Sequence, residues 1–321
     1  MINMIKEYIK MTEKIATREA YGNALVEFGE KYENIVVLDA DLSKSTKTAN
    51  FEKKFPERFI NCGIAEGNMM AVAAGIASTG KIPFASSFAM FAAGRAFEQI
   101  RNAVSYPGLN VKIGATHAGI TVGEDGATHQ CNEDIGIMRT IPGMVILNPA
   151  DAVEARLAVE AAILHKGPVY MRFGRLAVPV IFDKDAYKFE IGKGVQISEG
   201  KDASIIATGI MVAEAIKARE ILAADGIDAA VVNIHTIKPI DKEIIIKAAK
   251  TGAIVTAEEH NIIGGLGSAV AEVLSENSPC LIGRIGMRDE FGRSGKAEEL
   301  MKIFGITADD IAKKVKEIKK I

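Results

Sequence analysis

Hydrophobic positions along this chain follow two spacings. Short apolar runs alternate with longer, alanine-rich stretches in which apolar residues recur at helical intervals. In the first half, the runs predict strands at residues 34–39, 58–62, 82–86, 110–115, 144–147 and 169–173. The stretches between them predict helices at residues 17–30, 67–78, 92–105 and 152–164. Short apolar strands that alternate with helices are typical of a parallel sheet covered on both faces, so we expect a doubly wound α/β fold.

Residues 179–197 interrupt this pattern with proline, glycine and charged residues. A second alternation follows, with strands predicted at residues 203–208, 229–234, 253–257 and 281–284. Helices are predicted at residues 211–224, 244–250, 268–275 and 308–320. We therefore expect two α/β domains, over residues 1–185 and 186–321, and a chain of 321 residues is long enough to form them.

The composition, with 48% hydrophobic and 25% charged residues, is typical of a soluble globular protein. A formal net charge of −2 gives no broad attraction to nucleic acid or to an anionic membrane, so we expect neither as a partner. No apolar run reaches the roughly 18 residues of a membrane span, and the first residues lack the apolar core of a signal peptide. The three cysteines, Cys62, Cys131 and Cys280, form no CxxC pair, which favours a reducing cytoplasm.

The most informative segment is Thr116-His-Ala-Gly-Ile-Thr-Val-Gly-Glu-Asp-Gly-Ala-Thr-His-Gln130, which follows a predicted strand. In open parallel α/β sheets, ligands bind beyond the carboxyl ends of the strands, and glycines there let the backbone approach a ligand closely. His117, Asp125 and His129 are therefore candidates to hydrogen-bond hydroxyl groups and to transfer protons near neutral pH. A single loop histidine is usually solvated, but two histidines and an aspartate in one glycine-rich loop favour a functional site.

A second candidate is Glu66, at the junction between a predicted strand and an almost uncharged helix. A carboxylate that enters a buried or interfacial site is desolvated, and it can then hold or donate a proton at neutral pH. The alternative is a glutamate stabilised by the dipole at a helix N-terminus. Phe88 and Phe91 follow the next predicted strand, and they are either core residues or a stacking surface for a flat heterocycle.

Two further segments have simpler explanations. Asp39-Ala-Asp41-Leu-Ser-Lys-Ser45 ends a predicted strand with polar side chains where a ligand would lie, but taken alone it suits a solvated turn. Gly265-Leu-Gly267 precedes a predicted helix and resembles part of a dinucleotide fingerprint. It lacks a third glycine at the expected place, so we favour close helix packing as the role of these glycines.

Taken together, these segments resemble the C-terminal half of transketolase, a thiamine-diphosphate enzyme. The resemblance covers nearly the whole chain, and the motifs occur in the same order. They are Ala16-Thr-Arg18-Glu, Asp39-Ala-Asp41-Leu, Cys62-Gly-Ile-Ala-Glu66, Phe88-Ala-Met-Phe91, Gly123-Glu-Asp-Gly-Ala-Thr-His-Gln130 and Glu290-Phe-Gly-Arg-Ser-Gly295. The resemblance implies a pyrimidine-binding α/β domain followed by the smaller transketolase C-terminal domain.

The resemblance also implies a cofactor site. Glu66 would contact the ring nitrogen of the aminopyrimidine of thiamine diphosphate and share a proton with it. Phe88 and Phe91 would pack against the pyrimidine ring, and Asp41 and Ile64 would complete the cofactor-binding residues. The cofactor carries the difficult chemistry in such enzymes, and the protein tunes it.

A sugar-phosphate site is implied beside it. His117, Asp125 and His129 would line the sugar channel. Asp125 would recognise the hydroxyl next to the donor carbonyl, and the two histidines would bind hydroxyl and carbonyl oxygens and assist proton transfer.

Arg18, Ser45 and Arg172 match the family positions that hold the sugar phosphate, a task that suits the bidentate fork of arginine. The segment Arg172-Phe-Gly-Arg175 leaves a choice between two arginines.

Three positions, Ala118, Gly119 and Gly94, depart from full-length transketolases. Thr116-His-Ala-Gly119 stands where Thr-His-Asp-Ser is usual, and Gly94 stands where a tyrosine follows the paired aromatic residues. These departures remove polar groups near the site. The sequence therefore does not determine which sugar phosphates are preferred.

Thiamine-diphosphate enzymes hold the diphosphate through Mg²⁺ at a Gly-Asp-Gly…Asn motif on another domain, and this sequence contains no such motif. The resemblance therefore implies half of an enzyme, with the Mg²⁺ ligands on a separate N-terminal transketolase subunit and no metal ligands here. We expect an α₂β₂ assembly with the cofactor bound across the subunit interface.

The leading hypothesis is the C-terminal subunit of a split transketolase, which transfers a two-carbon ketol unit from a ketose phosphate to an aldose phosphate. The alternatives are the β subunit of a 2-oxo-acid dehydrogenase decarboxylating component, a deoxyxylulose-phosphate synthase-like half, and a catalytically silent regulatory subunit. The first alternative usually carries paired histidines in the loop where this chain has Gly123–Gln130, which favours transketolase. The joint presence of Glu66, Asp125 and His129 argues against a silent subunit.

Overall fold

The structure, a computed structural model, describes residues 13–320. Its strands are β1 (Lys14–Ala16), β2 (Ile35–Asp39), β3 (Phe59–Asn61), β4 (Ile82–Phe88), β5 (Lys112–Thr116), β6 (Val145–Leu147), β7 (Val169–Arg172), β8 (Ala177–Pro179), β9 (Val195–Ser198), β10 (Ala203–Ala207), β11 (Ala229–Asn233), β12 (Thr236–Lys238), β13 (Ala253–Asn261) and β14 (Leu281–Met287). Its α-helices are α1 (Thr17–Lys31), α2 (Ser43–Thr46), α3 (Ala49–Lys54), α4 (Glu66–Ser78), α5 (Phe97–Gln99), α6 (Asp134–Arg139), α7 (Ala152–Leu164), α8 (Met211–Ala224), α9 (Lys242–Ala249), α10 (Leu266–Asn277), α11 (Ala297–Ile303) and α12 (Ala308–Lys319).

The first sheet has the strand order β12-β6-β7-β5-β4-β2-β3 within the described residues. All of its neighbouring strands pair in parallel except β12, which pairs antiparallel with β6. Successive side chains of β2 enter different cores, since Val37 packs with α1 and α7 and Leu38 packs with α4. Helices thus cover both faces of the sheet, and the expected doubly wound α/β fold is confirmed.

The second sheet has the order β14-β13-β10-β11-β9, in which only the edge strand β9 is antiparallel. Residues of α8, α11 and α12 form its own core. Residues of α9 and α10 instead belong to the same apolar cluster as α4 of the first half. A shared core therefore joins the two halves, and the boundary expected at residues 185 and 186 remains a prediction.

Several elements differ from the sequence-based expectation, and the short elements β1, β8, β9, β12, α2, α3, α6 and α11 are not among the predicted strands and helices. The helix expected at residues 92–105 is π-helical at Met90–Arg95 and Ile100–Ser105, with one α turn between them. Six residues are too few for an apolar pattern to separate i→i+5 from i→i+4 hydrogen bonding. β12 was not expected, because three residues carry too little pattern. β13 continues to Asn261, since its polar last residues are held within the fold and not in solvent.

Candidate active site

The parallel strands β5, β4 and β2 are neighbours and end at the same edge of the first sheet. His117 directly follows β5, Phe88 is the last residue of β4, and Asp41 lies just beyond β2. β3 lies beside β2 and leads into α4, whose first residue is Glu66. The sheet therefore collects candidate side chains from four segments of the chain, at the edge where open α/β sheets bind ligands.

Glu66 has a buried side chain, only 4% exposed, and it forms an ion pair with Arg95. Nη1 of Arg95 donates a hydrogen bond to Oε1 of Glu66 at 3.1 Å. The guanidinium carbon of Arg95 also lies 4.2 Å from the centroid of the Phe91 ring. A flat cation thus contacts an aromatic ring and a buried carboxylate at once. Ile64, two residues before Glu66, is 76% exposed and available to a ligand or a partner.

His117 is buried and adopts a left-handed backbone conformation, with φ of 57°. Its Nε2 lies 3.3 Å from Nη1 of Arg18, and its Nδ1 lies 3.0 Å from Oγ1 of Thr116. Because arginine can only donate, Nε2 is the acceptor and the proton resides on Nδ1. Burial and the charge of Arg18 lower the pKa of His117 to about 3. His117 is therefore a neutral imidazole at physiological pH.

Phe88 lies at the centre of an aromatic cluster. Its ring stacks on the His117 ring with centroids 3.9 Å apart and on the Phe91 ring with centroids 5.8 Å apart. His129 meets Phe91 edge to face at a centroid distance of 5.3 Å. Phe88 and His117 are buried, whereas Phe91 and His129 are partly exposed. The rings of Phe91 and His129 are therefore accessible to a ligand, and the buried ring of Phe88 packs against both of them.

Two arginines lie near His117. Nη1 of Arg18 donates to the backbone carbonyl of Ser45 at 2.7 Å. Burial and the charge of Arg175 lower the pKa of Arg18, so the two guanidinium groups are close enough to repel each other. Nη1 of Arg175 also donates to Glu124 at 3.1 Å. Two cations held close together are well suited to bind an anion such as a phosphate.

Arg172, expected at the sugar phosphate, has its guanidinium group engaged by other residues of the chain. Its side chain is buried, and its Nε lies 2.9 Å from Oδ2 of the buried Asp134. Its Nη2 donates to the backbone carbonyls of Cys131 at 3.2 Å and Glu259 at 2.8 Å. The guanidinium group is engaged inside the protein, so this geometry argues against a phosphate-binding role for Arg172 and favours Arg175.

Asp125 lies in the exposed part of the loop Gly123–Gln130 and makes no hydrogen bond or ion pair with any residue of the described range. The loop is closed by Gln130, whose Nε2 donates to the carbonyls of Ile120 and Gly123, both at 3.2 Å. Asp125 is therefore free to face a ligand on a loop that is itself anchored.

The turn after β2 is better ordered than a solvated turn. Asp39 is buried, and its carboxylate accepts hydrogen bonds from the hydroxyls of Thr46 at 2.7 Å and Thr48 at 2.8 Å. Asp41 follows with a left-handed φ of 64° and accepts a hydrogen bond from Nδ2 of Asn61 at 3.3 Å. This network holds Asp41 at the exposed mouth of the site.

Family models identify both halves of the chain. Residues 13–180 match the transketolase pyrimidine-binding domain, and residues 192–311 match the transketolase C-terminal domain. The chain belongs to the transketolase family. Membership in the transketolase family implies the use of thiamine diphosphate.

Relatives of this transketolase-family chain include separate subunits of similar length. A Methanocaldococcus jannaschii protein whose name contains "transketolase C-terminal section" is 56% identical over 303 residues, covering 94% of this chain and 95% of that protein. The "6-deoxy-6-sulfo-D-fructose transketolase subunit" of a Clostridium species is 46% identical and covers 94% of each chain. A solved structure described as "Split gene transketolase, inactive beta4 tetramer" has a TM-score of 0.89 at 55% identity, covering 95% of this chain and 99% of that one.

The chain spans about half the length of the mammalian transketolases it matches, 49% of the human protein at 36% identity. It thus corresponds to a C-terminal transketolase section, as the sequence motifs imply. No helix among residues 13–320 is long and apolar enough to cross a membrane.

The residues at Glu66 fit the aminopyrimidine of thiamine diphosphate. The Arg95 guanidinium, a flat group that donates N–H bonds, already lies on the Phe91 ring and bonds to the Glu66 carboxylate. An aminopyrimidine is likewise flat, and its ring nitrogen can form a hydrogen bond with the Glu66 carboxyl group when the two share a proton. Residues 13–320 hold no cluster of three or more His, Cys, Asp or Glu side chains able to bind a metal.

Sequence reasoning missed Arg95, although its position four residues after Phe91 in a helical segment is the spacing at which side chains meet. It weighed Arg175 without choosing it. The role favoured for Gly265-Leu-Gly267, close helix packing, agrees with the structure, because a Cβ atom added at Gly267 would lie 2.9 Å from Oγ1 of Thr256 and from Cδ of Arg284. The N–H groups of Leu266 and Gly267 donate to the carboxylate of Glu258 at 2.6 and 2.8 Å, so a side chain fills the place of a nucleotide phosphate.

Proposed function

We propose that this chain is the C-terminal subunit of a two-subunit transketolase. It transfers a two-carbon ketol unit from a ketose phosphate to an aldose phosphate with thiamine diphosphate. The observation that carries this proposal is the buried Glu66 carboxylate, which faces a flat cationic group lying on Phe91. When bound, thiamine diphosphate supplies the nucleophilic carbon that side chains lack.

In this proposal, Glu66 holds a proton at the pyrimidine ring nitrogen, and Phe91, supported by Phe88, packs on the ring. Arg95 gives up its contact with Glu66 when the pyrimidine enters. Asp41 and Ile64, both exposed at the mouth of the site, contact other parts of the cofactor.

His117 acts in its neutral form because its pKa is lowered to about 3. It therefore accepts hydrogen bonds from substrate hydroxyls, and it is not a source of protons at physiological pH. His129, at the edge of the Phe91 ring, binds substrate oxygens from the opposite side of the loop.

The sugar phosphate binds between Arg18 and Arg175, with Ser45 beside them. The support is electrostatic. Arg175 lowers the pKa of Arg18, and both guanidinium groups lower the pKa of His117. An anion bound between the two arginines would relieve the repulsion between them. Arg175 replaces Arg172 in the expected set of phosphate-binding residues.

The missing functions belong to a partner. An N-terminal transketolase subunit would hold the diphosphate through Mg²⁺, in an α₂β₂ assembly with the cofactor across the interface. The relative described as an inactive β₄ tetramer supports this dependence on a second subunit. The relative named as a sulfofructose transketolase subunit supports ketol transfer with more than one class of sugar donor.

The assembly is tested by mixing. This chain, its N-terminal partner and the mixture are each assayed for transfer from xylulose 5-phosphate to ribose 5-phosphate with thiamine diphosphate and Mg²⁺. We expect activity only in the mixture, loss of activity with a chelator, and recovery on adding Mg²⁺. Turnover by this chain alone would contradict the split-site proposal, and turnover of pyruvate in place of the ketose phosphate would point to a 2-oxo-acid component.

Replacing Asp125 with alanine should weaken donor selectivity and leave folding unchanged, because the exposed Asp125 side chain makes no hydrogen bond or ion pair within residues 13–320. A hydrogen bond from a hydroxyl to a carboxylate contributes about 1.5–3 kcal/mol, so discrimination between the two configurations of the hydroxyl next to the donor carbonyl should fall about 10- to 100-fold. The measurement is the ratio of kcat/KM for two such donors. Asp125→Asn keeps a hydrogen-bonding group and should lose less, and equal selectivity in Asp125→Ala and the parent would exclude this role.

A further inference from the structure

Glu259 is a buried carboxylate that forms no ion pair within residues 13–320. It lies near the end of β13, in the second half of the chain, with 3% of its surface exposed. Arg172 contacts the backbone carbonyl of Glu259 and forms its ion pair with Asp134. Burial raises the pKa of the Glu259 carboxyl to about 7. Burying a carboxyl group costs free energy unless the group is hydrogen-bonded. The hydrogen-bond partner of Glu259 therefore indicates what this side chain does in the fold.

That partner is the loop that carries the candidate site. Oε1 of Glu259 accepts a hydrogen bond from the backbone N–H of Thr121 at 2.6 Å. Thr121 lies four residues after His117, on the segment that leads to Asp125 and His129. A residue of the second half thus holds the backbone between the two histidines of the first half.

The loop backbone is shaped around this carboxylate. Gly119 has a φ of 80°, and a Cβ atom added there would lie 2.2 Å from Cδ of Glu259. The N–H of Gly119 also donates to the carbonyl of Cys131 at 2.8 Å, which closes the loop at its base. The Glu259 side chain therefore occupies the space that any side chain at position 119 would need.

A second contact comes from the same half of the chain. Nε2 of Gln130 donates to the carbonyl of Arg293 at 2.9 Å, in addition to its bonds within the loop. A Cβ atom added at Gly126 would lie 2.5 Å from Oγ of Ser294. The loop is therefore held on one side by Glu259 and on the other by the segment around Ser294.

We infer that Glu259 is a positioning residue for the loop Gly119–Gln130, which makes the second half of the chain a working part of the site. It acts through the N–H of Thr121 and touches neither cofactor nor substrate. The expected effect on catalysis rests on the proposed ketol transfer. The expected effect on the order of the loop does not depend on it.

The test compares two variants of similar size. Glu259→Leu fills the same space without a hydrogen-bond acceptor, whereas Glu259→Gln keeps an acceptor oxygen for Thr121. Hydrogen exchange of the intact chain is followed by mass spectrometry in peptides covering residues 119–130. We expect exchange at least about tenfold faster in Glu259→Leu and within about threefold of the parent in Glu259→Gln, because a lost buried hydrogen bond costs about 1–3 kcal/mol.

Tyr170→Phe is the matched control. It removes one buried hydrogen bond, from the Tyr170 hydroxyl to Oδ2 of Asp134 at 2.9 Å, in the same polar cluster without touching the loop. Unchanged loop exchange in Glu259→Leu would overturn the inference, and so would equal loosening in Tyr170→Phe. If Glu259→Leu does not fold, Glu259→Met gives the same test, because it also lacks an acceptor oxygen for Thr121 and its flexible side chain adapts to the same space.

Kinetics of the complex with the partner subunit supply the second readout. We expect the kcat of Glu259→Leu to fall at least about tenfold with the half-saturating thiamine diphosphate concentration unchanged, and Glu259→Gln to restore kcat. A faster-exchanging loop with unchanged kcat would overturn the positioning role. Absence of transfer in the parent complex would defeat the proposed function alone, since loop exchange is judged without it.

Discussion

We expect Glu66→Gln to lower ketol-transfer turnover of the reconstituted complex by about 100-fold or more. Proton transfer by a positioned side chain contributes about 10²–10⁴-fold to rate, and an amide cannot share a proton with a ring nitrogen as a carboxyl group does. Folding should be preserved, because glutamine has the same shape and its oxygen can still accept the hydrogen bond from Arg95. The measurements are kcat with saturating cofactor and the circular dichroism of the variant.

Glu52→Gln is the matched control for this prediction. Glu52 is exposed on α3 and makes no ion pair or hydrogen bond with another described side chain, so the same chemical change there should leave turnover unaltered. Unchanged kcat in Glu66→Gln would remove Glu66 from the proposed proton transfer. A loss of the same size in both variants would indicate an effect of net charge and not of the site.

The second large effect should separate the two arginines of Arg172-Phe-Gly-Arg175. Arg172→Met should lower the free energy of unfolding by about 3–5 kcal/mol, because it leaves the buried Asp134 without its ionic partner. Chemical denaturation followed by circular dichroism measures this, since the chain contains no tryptophan.

Arg175→Met should have the opposite effect, a small change in stability and a large change in the KM for the donor. Its ion pair with Glu124 is exposed and contributes little to stability, about 0–1 kcal/mol. The loss of charged hydrogen bonds to the sugar phosphate, about 1.5–3 kcal/mol, should raise the donor KM about 10- to 100-fold. A stable Arg172→Met variant with weakened donor binding, beside an unaffected Arg175→Met variant, would reverse this assignment of the two arginines.

The alternation of strands and helices could be predicted because it depends on local apolar spacing. α7 and α8 agree with the predicted helices at both ends. The strand β12 could not be predicted in the same way. It is stabilised by pairing with β6, about 90 residues earlier in the chain, and three residues carry no period of their own.

The motifs indicated where Glu66, Phe88, Phe91, His117 and His129 would come together, because they place these residues near the carboxyl ends of neighbouring strands, whereas Arg95 was missed and Arg175 was not chosen. The individual states of these residues could not be predicted. His117 is chemically a histidine like any other, and it is burial and the charges of Arg18 and Arg175 that lower its pKa. Arg95 carries no motif of its own, and its contact with Glu66 depends on a π-helical segment that the sequence pattern did not reveal.

The sequence by itself determined the family, the α/β class, the helical and strand periods, and the presence of Glu66, Asp125 and the two histidines. Tertiary structure decided which of two nearby arginines is buried, that the pKa of His117 is lowered, and that a glutamate from the second half holds the loop of the first. The physical reason is that periodicity and motifs are properties of neighbouring residues. Burial, charge pairing and hydrogen bonding are set by residues such as Asp134 and Glu259, which lie far away along the chain from the groups they contact.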